Sequence, residues 1–240
     1  MGLLSELVQA RQTAKSNSSG EEFEGNDFWG IYGSSLMAYN NDFDSILGSK
    51  IENIARNKPD FNCMDAFGEG EYIRNLIYLE HLGIKVNYGM SLTLKDLRTE
   101  QQRKFDEENK ISMIEGNLFS GKTWAKVRER QSDLGIKGFD LIICRPLAGW
   151  SLDEYGGVPL KEVSLGLKYV IFNNLWQMLN SDGVLVSHLK YDEKLDGWLE
   201  KLRENSIEAK ISKPKGGDGS TMLLKLVKRE TNVDKLPMVV

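Results

Sequence analysis

Apolar positions along the 240-residue chain keep two different rhythms, and the switch between them outlines the elements. From Ser34, the residues Leu36, Tyr39, Phe43, Ile46, Leu47, Ile51 and Ile54 recur at three- and four-residue steps, which predicts a helix ending before Pro59. Gly48 weakens that helix without breaking it. Beyond it, short continuous apolar runs alternate with helical patterns. A strand at 61–65 leads to a helix from about Glu71 to Leu82, closed by Gly83. A strand from Lys85 to Leu92 leads to a polar, surface-type helix, with Thr93 and Asp96 in a capping arrangement. A third strand, ISMIE at 111–115, precedes a helix starting near Trp124, and a fourth, FDLIIC at 139–144, precedes a long one at 162–180. Leu167, Val170, Ile171, Leu175, Met178 and Leu179 form the apolar side of that long helix. The turn Ser181-Asp182-Gly183 launches GVLVSHL, and the helical DEKLDGWLEKLREN follows. Two last strands, IEAKISK and STMLLKLVKR, are joined by PKGGDG with no helix between them and should pair as an antiparallel hairpin.

Such alternation predicts an α/β fold, a mostly parallel sheet with helices on both faces. The simplest division is an N-terminal arm and helix over 1–57, one α/β domain over 58–229 and a tail over 230–240. Composition changes this little. Hydrophobic content of 40% and charged content of 28% suit a globular chain with an ample core, and the net charge of −4 gives nucleic acid no general attraction. No apolar run reaches membrane-spanning length, and the start MGLLSELVQARQ lacks the basic lead and long apolar core of a secretory signal. Glu6 breaks the myristoylation pattern. Cys63 and Cys144 sit inside apolar strands, where buried reduced thiols are expected, and with no Cys/His cluster no metal site is expected. A cytoplasmic protein fits these features.

The chemistry centres on MDAFGEGEYIRNL, a strand, a glycine turn and a helix. A dinucleotide pyrophosphate belongs at such a helix N-terminus, yet here Asp65, Glu69 and Glu71 surround it, and only Gly68-x-Gly70 of the GxGxxG pattern is present. A phosphate-free guest bearing ammonium and sulfonium charges is attracted by the same carboxylates. MDAFGEG, YGMSL, IEGNLF, FDLIICRP, LNSDGVLV and the closing hairpin together resemble the class I, Rossmann-like S-adenosylmethionine-dependent methyltransferases, over roughly residues 58–229. The resemblance implies a three-layer sandwich on a seven-stranded sheet of order 3-2-1-4-5-7-6, strand 7 antiparallel. It also implies S-adenosylmethionine across the carboxyl ends of the first strands. By the same resemblance, Asp65 is the acid ending strand 1, and Phe67, Gly68 and Gly70 form the turn around the methionine moiety. Ser91 and Leu92 stand at the ribose position after strand 2, and Asn117 and Leu118 at the adenine position after strand 3. Arg145 and Pro146 occupy the fourth motif, where amino-group methyltransferases carry Asn-Pro-Pro-Tyr. The departure from that tetrad disfavours amino methylation and leaves the methyl acceptor unidentified.

A rival pattern must be weighed. GNLFSGKT, Gly116 to Thr123, matches the phosphate-loop pattern GxxxxGK[ST] after a strand and before a helix. Against nucleotide hydrolysis, the following strands end in Cys144-Arg145 and Ser187-His188, with no Asp to hold magnesium. His188, at the end of a central strand, is a candidate general base, whereas His81 suits the C-terminal end of its helix. Phe23, Phe28, Trp29 and Tyr32 can pin the N-terminal arm to the core or act as a lid, and Trp150 can line an acceptor pocket. Lys210, Lys213 and Lys215 read as solvated edge-strand lysines that can also meet an anionic acceptor or nucleic acid. The leading expectation is therefore a methyltransferase. A non-catalytic module or partner subunit with the same fold is the alternative.

Overall fold

The computed structural model describes residues 58, 60–66, 70–78, 85–93, 96, 98–147, 151–152, 158–159, 165–190, 193–213 and 221–239. The expected helix at 34–58 and the aromatic arm before it lie outside this set. Four parallel strands come first: β1 (Phe61–Ala66), β2 (Val86–Thr93), β3 (Ile111–Glu115) and β4 (Phe139–Leu147). A two-residue ribbon of β5 (Ser151–Leu152) and β6 (Val158–Pro159) follows, then β7 (Leu179–Lys190), β8 (Glu208–Ser212) and β9 (Thr221–Val227). The sheet runs β3-β2-β1-β4-β7-β9-β8, and β9 is antiparallel to both neighbours. Counted within the sheet, this is the expected order 3-2-1-4-5-7-6.

The helices are α1 (Glu71–Tyr78), α2 (Glu100–Glu108), α3 (Gly121–Asp133), α4 (Leu165–Gln177) and α5 (Lys194–Glu204). Two apolar layers face them. Alternate residues of the central strands, such as Met64, Met90, Ile142, Leu185 and Leu224, pack with Trp124, Phe172 and Trp198 on one face. Cys63, Leu141, Ile143, Val186 and Leu223 pack with Tyr72, Ile73 and Leu76 on the other.

Several boundaries differ from the sequence reading, each for a local reason. The cap of α2 is Thr99, which forms a capping box with Gln102, whereas Thr93 is buried in β2. That helix is not polar surface throughout, because Asp106 and Gln102 are buried. Val170, expected on the apolar side of α4, is exposed, while Phe172 and Trp176 are buried. Asp182 does take the left-handed φ of a turn, 62°, yet the strand pairs on both sides of it. Leu179 lies opposite Phe139 and Val184 opposite Leu141, so Ser181-Asp182-Gly183 bulges out of β7 instead of preceding it. Asp182 and Lys228 close this bulge against the end of β9.

Residues 233–238 lie across α4 and α5. The ring nitrogens of Trp176 and Trp198 donate to the carbonyls of Val233 and Pro237 at 3.0 and 2.9 Å, and the Tyr169 hydroxyl donates to that of Leu236 at 2.8 Å. The Leu236 N–H donates to Asn173, and its side chain is buried.

Candidate functional site

The sheet reverses its strand order at β1, which pairs with β2 on one side and β4 on the other. The carboxyl ends of these three strands define the crevice where open α/β sheets hold ligands. Asp65 and Ser91 are paired across it, as are Ala66 and Leu92. Asp65 is fully buried, and one carboxylate oxygen accepts the Tyr72 N–H at 3.1 Å. The acid thereby satisfies a backbone donor at the start of α1 and fixes how the glycine turn enters the helix. Gly70 makes that entry with φ of 75°, and its carbonyl receives the Arg74 N–H at 3.0 Å. A side chain there is strained, and its Cβ would stand 3.4 Å from the Arg74 guanidinium. Phe67, Gly68 and Glu69 lie outside the described residues, as does the Glu71 side chain.

The guanidinium under the turn is itself buried. Arg74 Nε and Nη2 donate to the buried Asp106 carboxylate at 2.7 and 2.5 Å, tying α1 to α2. Arg98 Nη1 donates to the same carboxylate at 2.8 Å, and its Nε and Nη2 each donate to Asp96 at 2.9 Å. The bound Arg98 holds the Asp96 carboxyl below the usual carboxylate range, and the two acids hold the Arg98 guanidinium above its own.

The residues after β2 and β3 are more committed than the sequence suggests. β2 runs one residue past Leu92, so Ser91 lies within it, fully buried, and its hydroxyl donates to the Asp65 carbonyl at 3.1 Å. Asn117 is half-buried; its side-chain oxygen accepts the Phe119 N–H at 2.7 Å, and its carbonyl accepts that of Ser120. Leu118 is in the core, its carbonyl receiving the indole N–H of Trp124, and it is Phe119 that remains part-buried at the loop surface. Phe119 ends the IEGNLF stretch, where the resemblance assigns it no role; only its place after the turn distinguishes it.

At the end of β4, Cys144 pairs with Ser187 and Leu147 with Leu189. Three steps on β4 therefore oppose two on β7, and the extra residue falls in the stretch holding Arg145 and Pro146. Proline has no N–H to give the ladder, which suits a bulge. The side chains of Arg145, Pro146 and His188 lie outside the described set; the His188 backbone pairs with Leu223. His81, Trp150 and Lys215 also fall outside it.

Two solved structures share this architecture. One, from Listeria monocytogenes and described as a class I S-adenosylmethionine-dependent methyltransferase, is 14% identical, with 92% of this chain and 72% of that one covered and a TM-score of 0.52. The other, described as a ribosomal RNA methyltransferase of Plasmodium falciparum, is also 14% identical, with 84% and 98% covered and a TM-score of 0.53. The chain has the class I methyltransferase fold. No family model matches its sequence, and no curated protein does.

Within the methyltransferase fold, the phosphate-loop pattern makes no phosphate cradle. The N–H groups of Gly116, Phe119, Ser120, Lys122 and Thr123 donate to Thr93, Asn117 or Ser120 inside the protein. Thr123, which would have to reach magnesium, is buried against Gly116, and Lys122 is exposed. Both cysteines are buried reduced thiols, as the sequence predicts. Burial, with the nearby Asp65 charge, pushes the Cys144 thiol up to about 12, so it stays protonated and is no nucleophile. Among the described residues no His, Cys, Asp or Glu cluster can hold a metal, and no helix is long and apolar enough to cross a membrane.

Proposed function

We propose that this chain binds S-adenosylmethionine across the carboxyl ends of β1 and β2 and transfers its methyl group to an acceptor over the bulged end of β4. One observation carries the reading. At the point where strand order reverses, a left-handed Gly70 opens α1 above a buried, backbone-bonded Asp65. The residues present fit the cofactor at its methionine end: a carboxylate beneath the turn favours an ammonium and a sulfonium, and the left-handed φ at 70 favours a glycine that keeps the backbone bare. Phe67, Gly68 and Gly70 would carry the backbone around the methionine, with Asp65 positioning them. Ser91 fixes the end of β1 through the Asp65 carbonyl. Asn117, whose side-chain oxygen accepts the Phe119 N–H, would offer its NH2 to an adenine ring nitrogen, with Leu92 and Leu118 backing the site from the core and Phe119 beside the ring.

When bound, S-adenosylmethionine supplies a sulfonium-activated methyl carbon, which the acceptor's lone pair takes as a neutral thioether leaves. The protein aligns the acceptor and excludes water, and needs no nucleophile of its own. Arg145 and Pro146 shape the acceptor side in place of the Asn-Pro-Pro-Tyr tetrad, which points to acceptors other than amino groups. His188 is the candidate that takes the acceptor's proton. A cytoplasmic location, supported by two buried reduced thiols, belongs to the same reading.

A second reading is a non-catalytic member of the fold. Its support is the end of β2, where the Ser91 hydroxyl is committed to Asp65 and Asp96 is held by Arg98. Calorimetry with S-adenosylmethionine, S-adenosylhomocysteine and magnesium–ATP separates the readings. Binding of the first two, with labelled methyl transfer to some acceptor class, supports the enzyme. Folded protein that binds none of them supports the second reading. Magnesium-dependent ATP binding lost in Lys122→Ala refutes both.

A further inference from the structure

β3 is an edge strand, hydrogen-bonded to β2 alone in the described sheet. A groove of about 520 Å³ runs along its free edge, walled by α2 on one face of the sheet and α3 on the other. Such an edge offers unpaired backbone donors and acceptors, and proteins ordinarily block it with scattered or like charges. The exposed charges on the two flanking helices follow a stricter rule.

On α3, Lys126, Glu129, Arg130 and Asp133 are exposed at three- and four-residue spacing, so they share one face of the helix beside the groove. Turned end for end about the point between 129 and 130, the face maps Lys126 onto Asp133 and Glu129 onto Arg130. Every position meets its opposite sign. On α2, Arg103 and Glu107, both exposed and lining the groove, do the same about Phe105, although Arg103 also reaches Asp96 at 3.4 Å. The strand has its own midpoint, Met113, in Ile111–Glu115. Arg130 Nε donates to Ser112 Oγ at 3.0 Å, which sets the middle of α3 beside the middle of β3. Phe105 packs against the apolar layer that holds Ile111, and Arg103 and Glu107 on either side of it line the same groove as β3.

We propose that the free edge of β3 pairs two copies of this chain, antiparallel, about a two-fold axis normal to the sheet near Met113. That operation joins the two sheets edge to edge and keeps each face on its own side. It lays α3 antiparallel to its copy across one face and α2 across the other. Lys126 then faces the partner's Asp133, Glu129 the partner's Arg130, and Arg103 the partner's Glu107. A cationic or anionic partner would want one sign along the groove; a face that inverts its sign end for end is complementary to itself. The backbone ladder supplies the contact and the charges fix its register.

The test is sedimentation equilibrium of the full chain over micromolar concentrations, with circular dichroism confirming the fold of each variant. The wild type is expected at twice the 27.2 kDa chain mass. Lys126→Glu alone and Asp133→Lys alone each put like charges together twice per pair, and each should weaken pairing by about tenfold or more. Mixed together, the two variants face each other with opposite charges at both places, so the mixture should pair again. A folded wild type that stays single at all concentrations overturns the proposal. So does pairing indifferent to the single reversals, or a mixture that fails to recover.

Discussion

Replacing Asp106 by Ala should destabilise the protein far more than a surface charge deletion would. The carboxylate receives three donors from two guanidinium groups, at 2.7, 2.5 and 2.8 Å, and both Asp106 and Arg74 are all but inaccessible to solvent. Removing it leaves the Arg74 charge buried without a counter-ion, in a pocket where its third guanidinium nitrogen, Nη1, already lacks a partner. Breaking one side of a buried pair costs about 3–5 kcal/mol. For a chain of this size that corresponds to a fall in Tm of roughly 6–20 °C. Arg98 softens the loss little, because it keeps Asp96. The assay is thermal and urea unfolding followed by circular dichroism. The companion variant Arg74→Met with Asp106→Leu removes both charges from the same volume, and should recover most of the loss. A change under about 1 kcal/mol in Asp106→Ala, or a double variant no better than the single one, would refute the argument that an unpaired buried charge sets the magnitude.

Gly70→Ala places a Cβ at φ 75° and should destabilise by about 1–2 kcal/mol, with weaker S-adenosylmethionine binding by calorimetry than an alanine elsewhere on α1 produces. Removing residues 233–240 takes away five of the described hydrogen bonds and the buried Leu236 side chain; a loss of about 4 kcal/mol or more and a red-shifted tryptophan emission from Trp176 and Trp198 should follow. The Asp96 carboxyl is held low by Arg98, so its contribution to stability is fully present above the ordinary carboxylate range and is lost as pH falls through the lowered folded value. Asp96→Asn should therefore flatten the acid limb of stability against pH and leave its slope near neutrality unchanged.

The sheet was legible because strand rhythm, turn chemistry and the missing helix before the last strand all act locally. Long-range partners were not. Thr93 and Thr99 look equally able to cap a helix, and only the extension of β2 by one paired residue decides between them. The turn character of Asp182 was readable, but strand pairing on both sides, set by Phe139 and Lys228, turns a connection into a bulge. Asp65, Gly70 and Asn117 were singled out by the family resemblance, and hydrogen bonds to Tyr72 and Phe119 show which atoms of Asp65 and Asn117 are already engaged. Arg74 and Asp106 gave no signal, since residues thirty-two apart announce no contact in a pattern of periodicities. The terminal segment set apart as a tail at 230–240 is seated by side chains of α4 and α5 that look like ordinary core aromatics in the sequence.

The position of β9 between β7 and β8 has a consequence for biosynthesis. As the polypeptide leaves the ribosome, β8 emerges before the strand it must pair with, and β7 meanwhile presents Val184 and Val186 along an unzipped border. Until residues 221–227 arrive and slot into the gap, that half of the domain is a nascent surface for chaperones to shield, and the last of the described strands is the one that closes it.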